Sequence, residues 1–279
     1  MQKSKYYEHS GTIGLMGLIY IILAGAIGSL LLGAIYGYAI FYIPFIYLNF
    51  FITLGFGGIL GLLIGYSGKF GKVRNTKALV FFGLIFGIFA QYIGWVSWIH
   101  AFSGKEGAMV ASPSNMYYVV KMVADNGAWS IFGWTPKGFS IYSIWTIEAL
   151  MIIGASTLFA CIPIVSTPFC ERCNKWIDKE EFIFPLEPIE NVEKLTSQLE
   201  GSDFTILNLL KETDDDASIY TQLKLLFCPD CQDSYFLTVT SVEITEDDKG
   251  EIEKNDDDII ENFILTSDQY NKIKELHGV

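Results

Sequence analysis

The chain has 279 residues, of which 51% are hydrophobic and 15% aromatic, and its mean hydropathy is +0.35. This composition excludes an ordinary soluble domain, which is less apolar. The formal net charge of -12 is unevenly distributed. Residues 1–166 carry nine Lys or Arg and four Asp or Glu, whereas residues 167–279 carry ten Lys or Arg and 27 Asp or Glu. We therefore predict a first domain in lipid and a second, acidic domain in water. Nucleic acid is disfavoured as a partner, because phosphate neutralisation needs clustered Lys and Arg.

The first apolar stretch predicts two membrane-spanning helices. No Asp, Glu, Lys, Arg or His occurs between His9 and Lys69, which are separated by 59 residues. One span needs about 20 apolar residues, so this stretch suits two helices. We place them over residues 13–36 and 44–66, with an aromatic turn at residues 37–44. A signal peptide is disfavoured, because the first apolar run is too long and continues into a second.

Small residues recur at every fourth position of both predicted helices. They are Gly25, Ser29, Gly33 and Gly37 in the first helix and Thr53, Gly57, Gly61 and Gly65 in the second. In lipid, such faces let helix backbones approach closely. The pattern favours helix packing within one subunit. The alternative is a glycine-lined pore or a homo-oligomer that associates through these helices.

The distribution of basic residues predicts the topology. The loop of residues 67–77 has four basic and no acidic residues, so the positive-inside rule places it in the cytoplasm. Further spans are predicted over residues 78–101 and 141–165, the latter kinked by Pro163. Four spans then place both termini on the cytoplasmic side of a bacterial-type inner (plasma) membrane.

An outer segment, residues 102–140, connects the third and fourth spans. Within it, Ser112 and Pro113 predict the start of a helix, with a hydroxyl cap and a proline at the first helical position. Gly127 marks the predicted end of this helix. We expect an amphipathic helix on the outer surface, followed by an aromatic hairpin over residues 129–134.

Glu148 is the only acidic residue inside a predicted span. Carboxylates within a membrane are costly and usually face a cavity or a partner. Together with Gln91 and His100 of the third span, it forms a candidate intramembrane polar site. Two interpretations stay open: a protonated or hydrogen-bonded structural residue, and a group that handles protons or cations.

The second domain contains two Cys-x-x-Cys motifs. Cys170 and Cys173 form the first, and Cys228 and Cys231 form the second after a spacer of 54 residues. Each motif bends into a tight turn that presents two thiolates to one ion. Two such turns complete a tetrahedral four-thiolate site, the closed geometry of structural zinc.

The module resembles the zinc ribbons, both in its four cysteines and in having Pro229 inside the second motif and Trp176 after the first. The spacer is longer than a compact ribbon needs, so we predict an inserted α/β element. Two disulfides would require an oxidising compartment, which the predicted topology opposes. A redox site would need only one pair. Iron in a rubredoxin-like site uses the same ligands and stays open beside Zn²⁺.

Residues 167–279 are predicted to form a cytoplasmic α+β domain. The predicted strands cover residues 181–185, 220–227, 234–245 and the chain from 251, with acidic turns at 247–250 and 256–258. The predicted helices cover residues 188–199 and 267–276, and residues 204–210 suit either a helix or a strand.

Motifs for catalysis are missing from the sequence. The three histidines, His9, His100 and His277, have no ligand spacing to one another, and no phosphate-binding loop or nucleophile motif occurs. A closed zinc site offers no open coordination position, so we do not expect an enzyme. The leading hypothesis is a membrane protein whose cytoplasmic zinc domain binds a protein or a small ligand. The alternative is a channel, transporter or membrane-permeabilising effector gated by that domain.

Overall fold

The computed structural model of the protein describes residues 4–43, 45–104, 109–130, 133–214, 217–231, 233–246 and 252–277. The chain divides into two compact units. The helical unit is Ser10–Val165, and the sheet unit combines Ser166–Val279 with the N-terminal segment, Met1–His9. The described part of that segment, residues 4–9, thus groups with the second unit, whereas the charge pattern groups it with residues 1–166.

The described residues of the helical unit form six helices: α1 (Leu15–Tyr42), α2 (Ile46–Phe70), α3 (Thr76–Phe102), α4 (Pro113–Asn126), α5 (Phe139–Phe159) and α6 (Ile162–Val165). Four of the helical segments are long and apolar enough to cross a membrane: α1, α2, α3, and α5 taken together with α6. The prediction of four apolar helices in this part of the chain is confirmed.

The predicted turn over residues 37–44 is wrong, because α1 continues to Tyr42. Gly37 lies against α3, and a Cβ built on it would be 2.3 Å from the carbonyl oxygen of Gly94. This close contact extends the packing of the two helices beyond the predicted end of α1. The helix instead ends before Ile43, whose backbone is extended (φ -103°, ψ 97°). Ile43 precedes a proline in the sequence, and that position disfavours helical backbone.

The last apolar helix is interrupted near Pro163, as predicted. Proline lacks an N–H and its ring clashes with the carbonyl group four residues earlier, which here belongs to Phe159. The α5 helix ends at Phe159, and α6 begins at Ile162. A lost helical hydrogen bond therefore accounts for the break.

The predicted outer helix is present as α4, which begins at Pro113 and ends before Gly127. Its buried face includes Met116 and Val123. The predicted hydroxyl cap is wrong, because the Ser112 side chain makes no capping hydrogen bond. The predicted aromatic hairpin includes residues 131 and 132, which lie outside the described residues.

The five glycines predicted to pack helices all lie at contacts between helices of this chain: Gly25 and Gly33 of α1 face α3, and Gly57, Gly61 and Gly65 of α2 face α5 and the turn after it. A Cβ built on any of the three α2 glycines would lie 2.4 to 2.6 Å from a backbone carbonyl oxygen of residues 152–160. Only a residue without a side chain allows such an approach. Self-association through these helices stays a prediction.

The sheet unit is an α+β structure, as predicted. Its elements are β1 (Phe169–Cys170), β2 (Lys175–Trp176), β3 (Lys179–Leu186), α7 (Val192–Glu200), α8 (Thr205–Leu209), β4 (Ile219–Phe227), β5 (Tyr235–Glu246), β6 (Ile252–Leu265) and α9 (Ser267–His277). Strands β3 to β6 form one antiparallel sheet in chain order, and β1 pairs with β2. The predicted insertion between the cysteine motifs is therefore confirmed.

The main core covers one face of the four-stranded sheet. Leu195 and Leu199 of α7 and Ile273 of α9 pack with Leu223 of β4 and Leu237 of β5. Because side chains alternate between faces along a strand, the neighbouring residues of β4 and β5 point to the opposite face. That second face is the one that meets the cysteine motifs.

The predicted acidic turn at residues 256–258 is wrong, because these residues lie inside β6. Asp256, Asp257 and Asp258 pair with β5, and the Thr240 hydroxyl donates a hydrogen bond to Asp258 Oδ1 at 2.6 Å. The three aspartates are exposed, so their side chains stay in contact with solvent while the backbone pairs with β5. The other predicted acidic turn, residues 247–250, lies outside the described residues.

The N-terminal segment pairs with β6 at the edge of the sheet. The backbone N–H of Ile264 donates to the carbonyl oxygen of Lys5 at 2.8 Å, and that of Tyr7 donates to Asn262 at 2.9 Å. Tyr6 forms an antiparallel bridge with Phe263. An edge strand presents unpaired backbone groups, and this segment satisfies some of them.

Candidate metal centre and a polar cavity in the helical unit

The four predicted ligands meet at one point of the sheet unit. Cys170 ends β1, Cys173 lies in the turn to β2, Cys228 follows β4, and Cys231 lies shortly before β5. All four Sγ atoms lie within 4.8 Å of one another. The antiparallel pairing of β3 with β4 returns the chain to its starting point, so it closes the 54-residue spacer between the motifs.

The spacing of the sulfur atoms fits a four-thiolate metal site. Tetrahedral ligands at about 2.3 Å from an ion lie about 3.8 Å from one another. The Sγ atoms of Cys170 and Cys231 are 3.5 Å apart, whereas a disulfide would bring them to about 2.05 Å. All five cysteines of the chain are free. The cluster could hold one metal ion, and its chemistry suits zinc or iron.

The cysteine cluster is packed against the second face of the sheet. Cys170 and Cys228 are buried with Ile177, Leu226 and Phe236. Leu226 of β4 and Phe236 of β5 are directly paired across the sheet. The cysteines are therefore part of a small hydrophobic core that includes paired side chains of β4 and β5.

Hydrogen bonds to sulfur favour the thiolate form of Cys170. Its Sγ accepts from the backbone N–H of Cys173 at 3.4 Å and from the Ser234 hydroxyl at 3.6 Å. Burial acts to raise the pKa of Cys170, but these hydrogen bonds, together with those to the thiols of Cys231 and Cys228, outweigh it and lower the pKa to about 7. Metals bind the thiolate, so this environment suits a ligand.

Two ion pairs connect the motifs. Arg172 in the first motif pairs with Asp233, just after the second motif. Lys175 pairs with Asp230, with Nζ 2.5 Å from Oδ2. Exposed pairs of this kind contribute only about 0–1 kcal/mol each. They help to align the two turns and add little to the stability of the unit.

A cavity of about 400 Å³ lies in the helical unit. Residues of α1, α2, α3 and α5 and residues 128–130 line it. Two of the three predicted polar residues, Glu148 and Gln91, are in its wall. His100 is not among the lining residues described, and its Nδ1 is instead hydrogen-bonded to the Tyr38 hydroxyl at 2.7 Å.

Glu148 belongs to a chain of polar contacts that joins three helices. The Tyr36 hydroxyl of α1 donates to Glu148 Oε1 at 2.6 Å and lies 3.0 Å from Thr53 Oγ1 of α2. Thr53 donates to the carbonyl oxygen of Asn49 at 2.7 Å. The sequence prediction missed Tyr36, Thr53 and Asn49 as polar partners. The signal was present, because Asn49 and Thr53 lie one turn apart on one face of an apolar helix.

The four-thiolate cluster resembles a zinc ribbon only in its cysteines and their immediate neighbours. Comparisons of the chain with protein families, with curated proteins and with solved structures find no match.

Proposed function

We propose that the protein is an integral inner-membrane protein of bacterial type whose cytoplasmic sheet unit is a zinc-ordered binding module. The observation that carries this proposal is the convergence of four free thiols, all within 4.8 Å, in an acidic unit that follows four apolar helices. A four-thiolate zinc site is closed and acts in folding. The function of the unit is then to bind a protein or a small ligand.

The charge of the sheet unit favours a basic partner. Residues 167–279 carry 27 Asp or Glu against ten Lys or Arg. Part of this charge is concentrated on β6, where Asp256, Asp257 and Asp258 are exposed. Such a surface attracts positively charged partners and repels nucleic acid.

The N-terminal segment supports the proposed topology. Residues 4–9 pair within the sheet unit, so this segment and that unit lie on the same side of a membrane. An even number of crossings between residues 9 and 166 is then required, and four spans meet this condition. The four basic residues of the 67–77 loop favour the cytoplasm as that side.

Cysteine labelling in intact cells tests the topology. Ser114 and Asp257 are both exposed in their units, so a cysteine at either position is accessible to a reagent on its own side. We expect a membrane-impermeant maleimide to modify a Ser114→Cys variant and to spare an Asp257→Cys variant. Permeabilised cells should allow modification of both, and the wild-type chain measures labelling of the native cysteines. The reverse pattern in intact cells would contradict the proposal.

A channel or transporter gated by the sheet unit is the second candidate function. It is favoured by the position of Glu148 in the wall of a cavity between four helices. Ion flux into liposomes separates the two functions. For the binding module we expect no flux from the full chain or from a chain that lacks the sheet unit. A flux that changes on removal of the sheet unit and disappears in Glu148→Gln would contradict the first function and support the second.

A further inference from the structure

We propose that the cavity of the helical unit binds an organic cation with an apolar body. The cation would be held by the carboxylate of Glu148 and enclosed by tryptophan rings. This inference concerns binding alone and holds whether or not anything crosses the membrane. It is also independent of the metal centre, which lies in the other unit.

The charge of the cavity selects a cation. Glu148 is an acid, and no Lys, Arg or His is found among the described residues that line the cavity. A carboxylate among apolar helices is costly unless a positive charge or hydrogen bonds compensate it. The Tyr36 hydroxyl supplies one hydrogen bond, at 2.6 Å to Oε1. A bound cation would supply the missing charge.

Four tryptophans form much of the wall: Trp95, Trp98, Trp129 and Trp145. The ring of Trp95 is nearly perpendicular to that of Trp145, at 84° with centroids 4.8 Å apart, and is tilted 69° from that of Trp98 at 5.7 Å. These three side chains and that of Trp129 all line the cavity. Aromatic enclosures of this kind attract ammonium groups, and indole attracts them most strongly.

Two buried amide oxygens also favour a positively charged or hydrogen-donating ligand. Gln91 is 9% exposed, and its Oε1 finds no hydrogen-bond donor among the described residues. The same holds for Oδ1 of Asn49, which also lines the cavity. A buried acceptor without a donor costs about 1–3 kcal/mol. A ligand with polarised N–H or N–CH₃ groups would relieve this cost.

The size and lining of the cavity exclude a bare metal ion as the best ligand. Calcium and magnesium require about six or more oxygen ligands, whereas the cavity offers one carboxylate, a few amide and hydroxyl oxygens and a largely aromatic wall. The volume of about 400 Å³ falls in the usual range for small organic ligands, about 300–1,000 Å³. An amine or a quaternary ammonium compound fits this description.

Benzyltrimethylammonium is a suitable probe, because its all-carbon isostere, neopentylbenzene, has the same shape and no charge. We expect the full-length protein in detergent to bind the cation saturably, as followed by tryptophan fluorescence and calorimetry, and to bind the isostere at least tenfold more weakly. Glu148→Gln should weaken cation binding at least tenfold. Asp125→Asn is the matched control, since it removes an exposed acid of α4 that does not line the cavity. It should bind as the wild type does.

Several results would overturn the proposal. They are no saturable binding by the wild type, equal binding of the cation and the isostere, and unchanged cation binding by Glu148→Gln. If Glu148→Gln does not fold, as judged by its elution and melting in detergent, Gln91→Leu takes its place, because it removes an acceptor and retains the carboxylate. Weaker binding of the cation by Gln91→Leu, with unchanged binding of the isostere, would support the site. Equal effects on both probes would overturn it.

Discussion

A Cys228→Ser variant is expected to lose the proposed zinc ion and to become sensitive to proteases across the sheet unit, while the helical unit keeps its fold. Cys228 is buried with Leu226 and Phe236, so loss of the ion removes support from the paired strands β4 and β5. Structural zinc supplies about 10 kcal/mol or more to folding. The whole free energy of unfolding of a domain is only about 5–15 kcal/mol.

Loop closure explains why removal of the ion should greatly lower the stability of the sheet unit. The two motifs are separated by 54 residues, and bringing them together costs chain entropy in the absence of the ion. The strands within the spacer offset part of this entropy cost, because their side chains are buried in the main core of the sheet unit. The small cluster around Cys170 and Ile177 should depend on the proposed ion more directly, because its buried members include two of the four candidate ligands, Cys170 and Cys228.

The measurement is elemental analysis of reduced, purified protein, followed by limited proteolysis. We expect one zinc per chain in the wild type, and strong chelation should reproduce the behaviour of Cys228→Ser. Cys161→Ser is the matched control, because Cys161 is a free cysteine outside the cluster. It should retain both zinc and protease resistance. Wild-type protein without any bound metal would refute the centre, and iron in place of zinc would correct its identity alone.

The cysteine cluster and the apolar helices were predictable because their signals are local. A Cys-x-x-Cys motif leaves few chemical alternatives, and a long apolar run is set by composition alone. The pairing of residues 4–9 with β6 was not predictable in the same way. It depends on which backbone groups an edge strand leaves unpaired, and no local pattern around Tyr6 or Tyr7 carries that information.

Prediction of β6 failed where composition and pairing conflict. Three consecutive aspartates have low strand propensity and favour a turn. Pairing of these residues with β5 overrides that tendency, since the backbone groups of Asp256 to Asp258 complete an existing sheet.

The polar cavity could not be predicted for a different reason. Glu148 and Gln91 could be singled out as rare residues in a span. The contact of Glu148 with Tyr36 depends on helix rotation, which sequence periodicity in a wholly apolar helix does not define.

A second large effect is expected at Gly57 of α2. A Cβ at this position would lie 2.6 Å from the carbonyl oxygen of Ile152 and 2.9 Å from the Cβ of Ala155. Both atoms belong to α5, and a backbone oxygen cannot turn aside as the end of a side chain can. Gly57→Leu must therefore push the two helices apart. Overpacking typically lowers the free energy of unfolding by about 1–3 kcal/mol. Because leucine is large, we expect a loss at the upper end of this range or above it.

Gly55→Leu is the matched control in the same helix. Gly55 is exposed, and a Cβ built on it meets nothing within 4 Å. Leucine is also the better helix former, by about 0.5–1 kcal/mol relative to glycine. In detergent, we expect Gly57→Leu to melt several degrees below the wild type and Gly55→Leu to melt at or above it.

The same pair of variants tests the role of the glycine face in self-association. Because Gly57 contacts α5 of its own chain, the Gly57→Leu defect should appear in the melting temperature at an unchanged native mass. Equal melting of the two variants would show that close packing of α2 on α5 contributes little to stability. A fall in native mass for Gly57→Leu, with the melting temperature preserved, would show that this glycine face is an interface between chains and not an intramolecular contact.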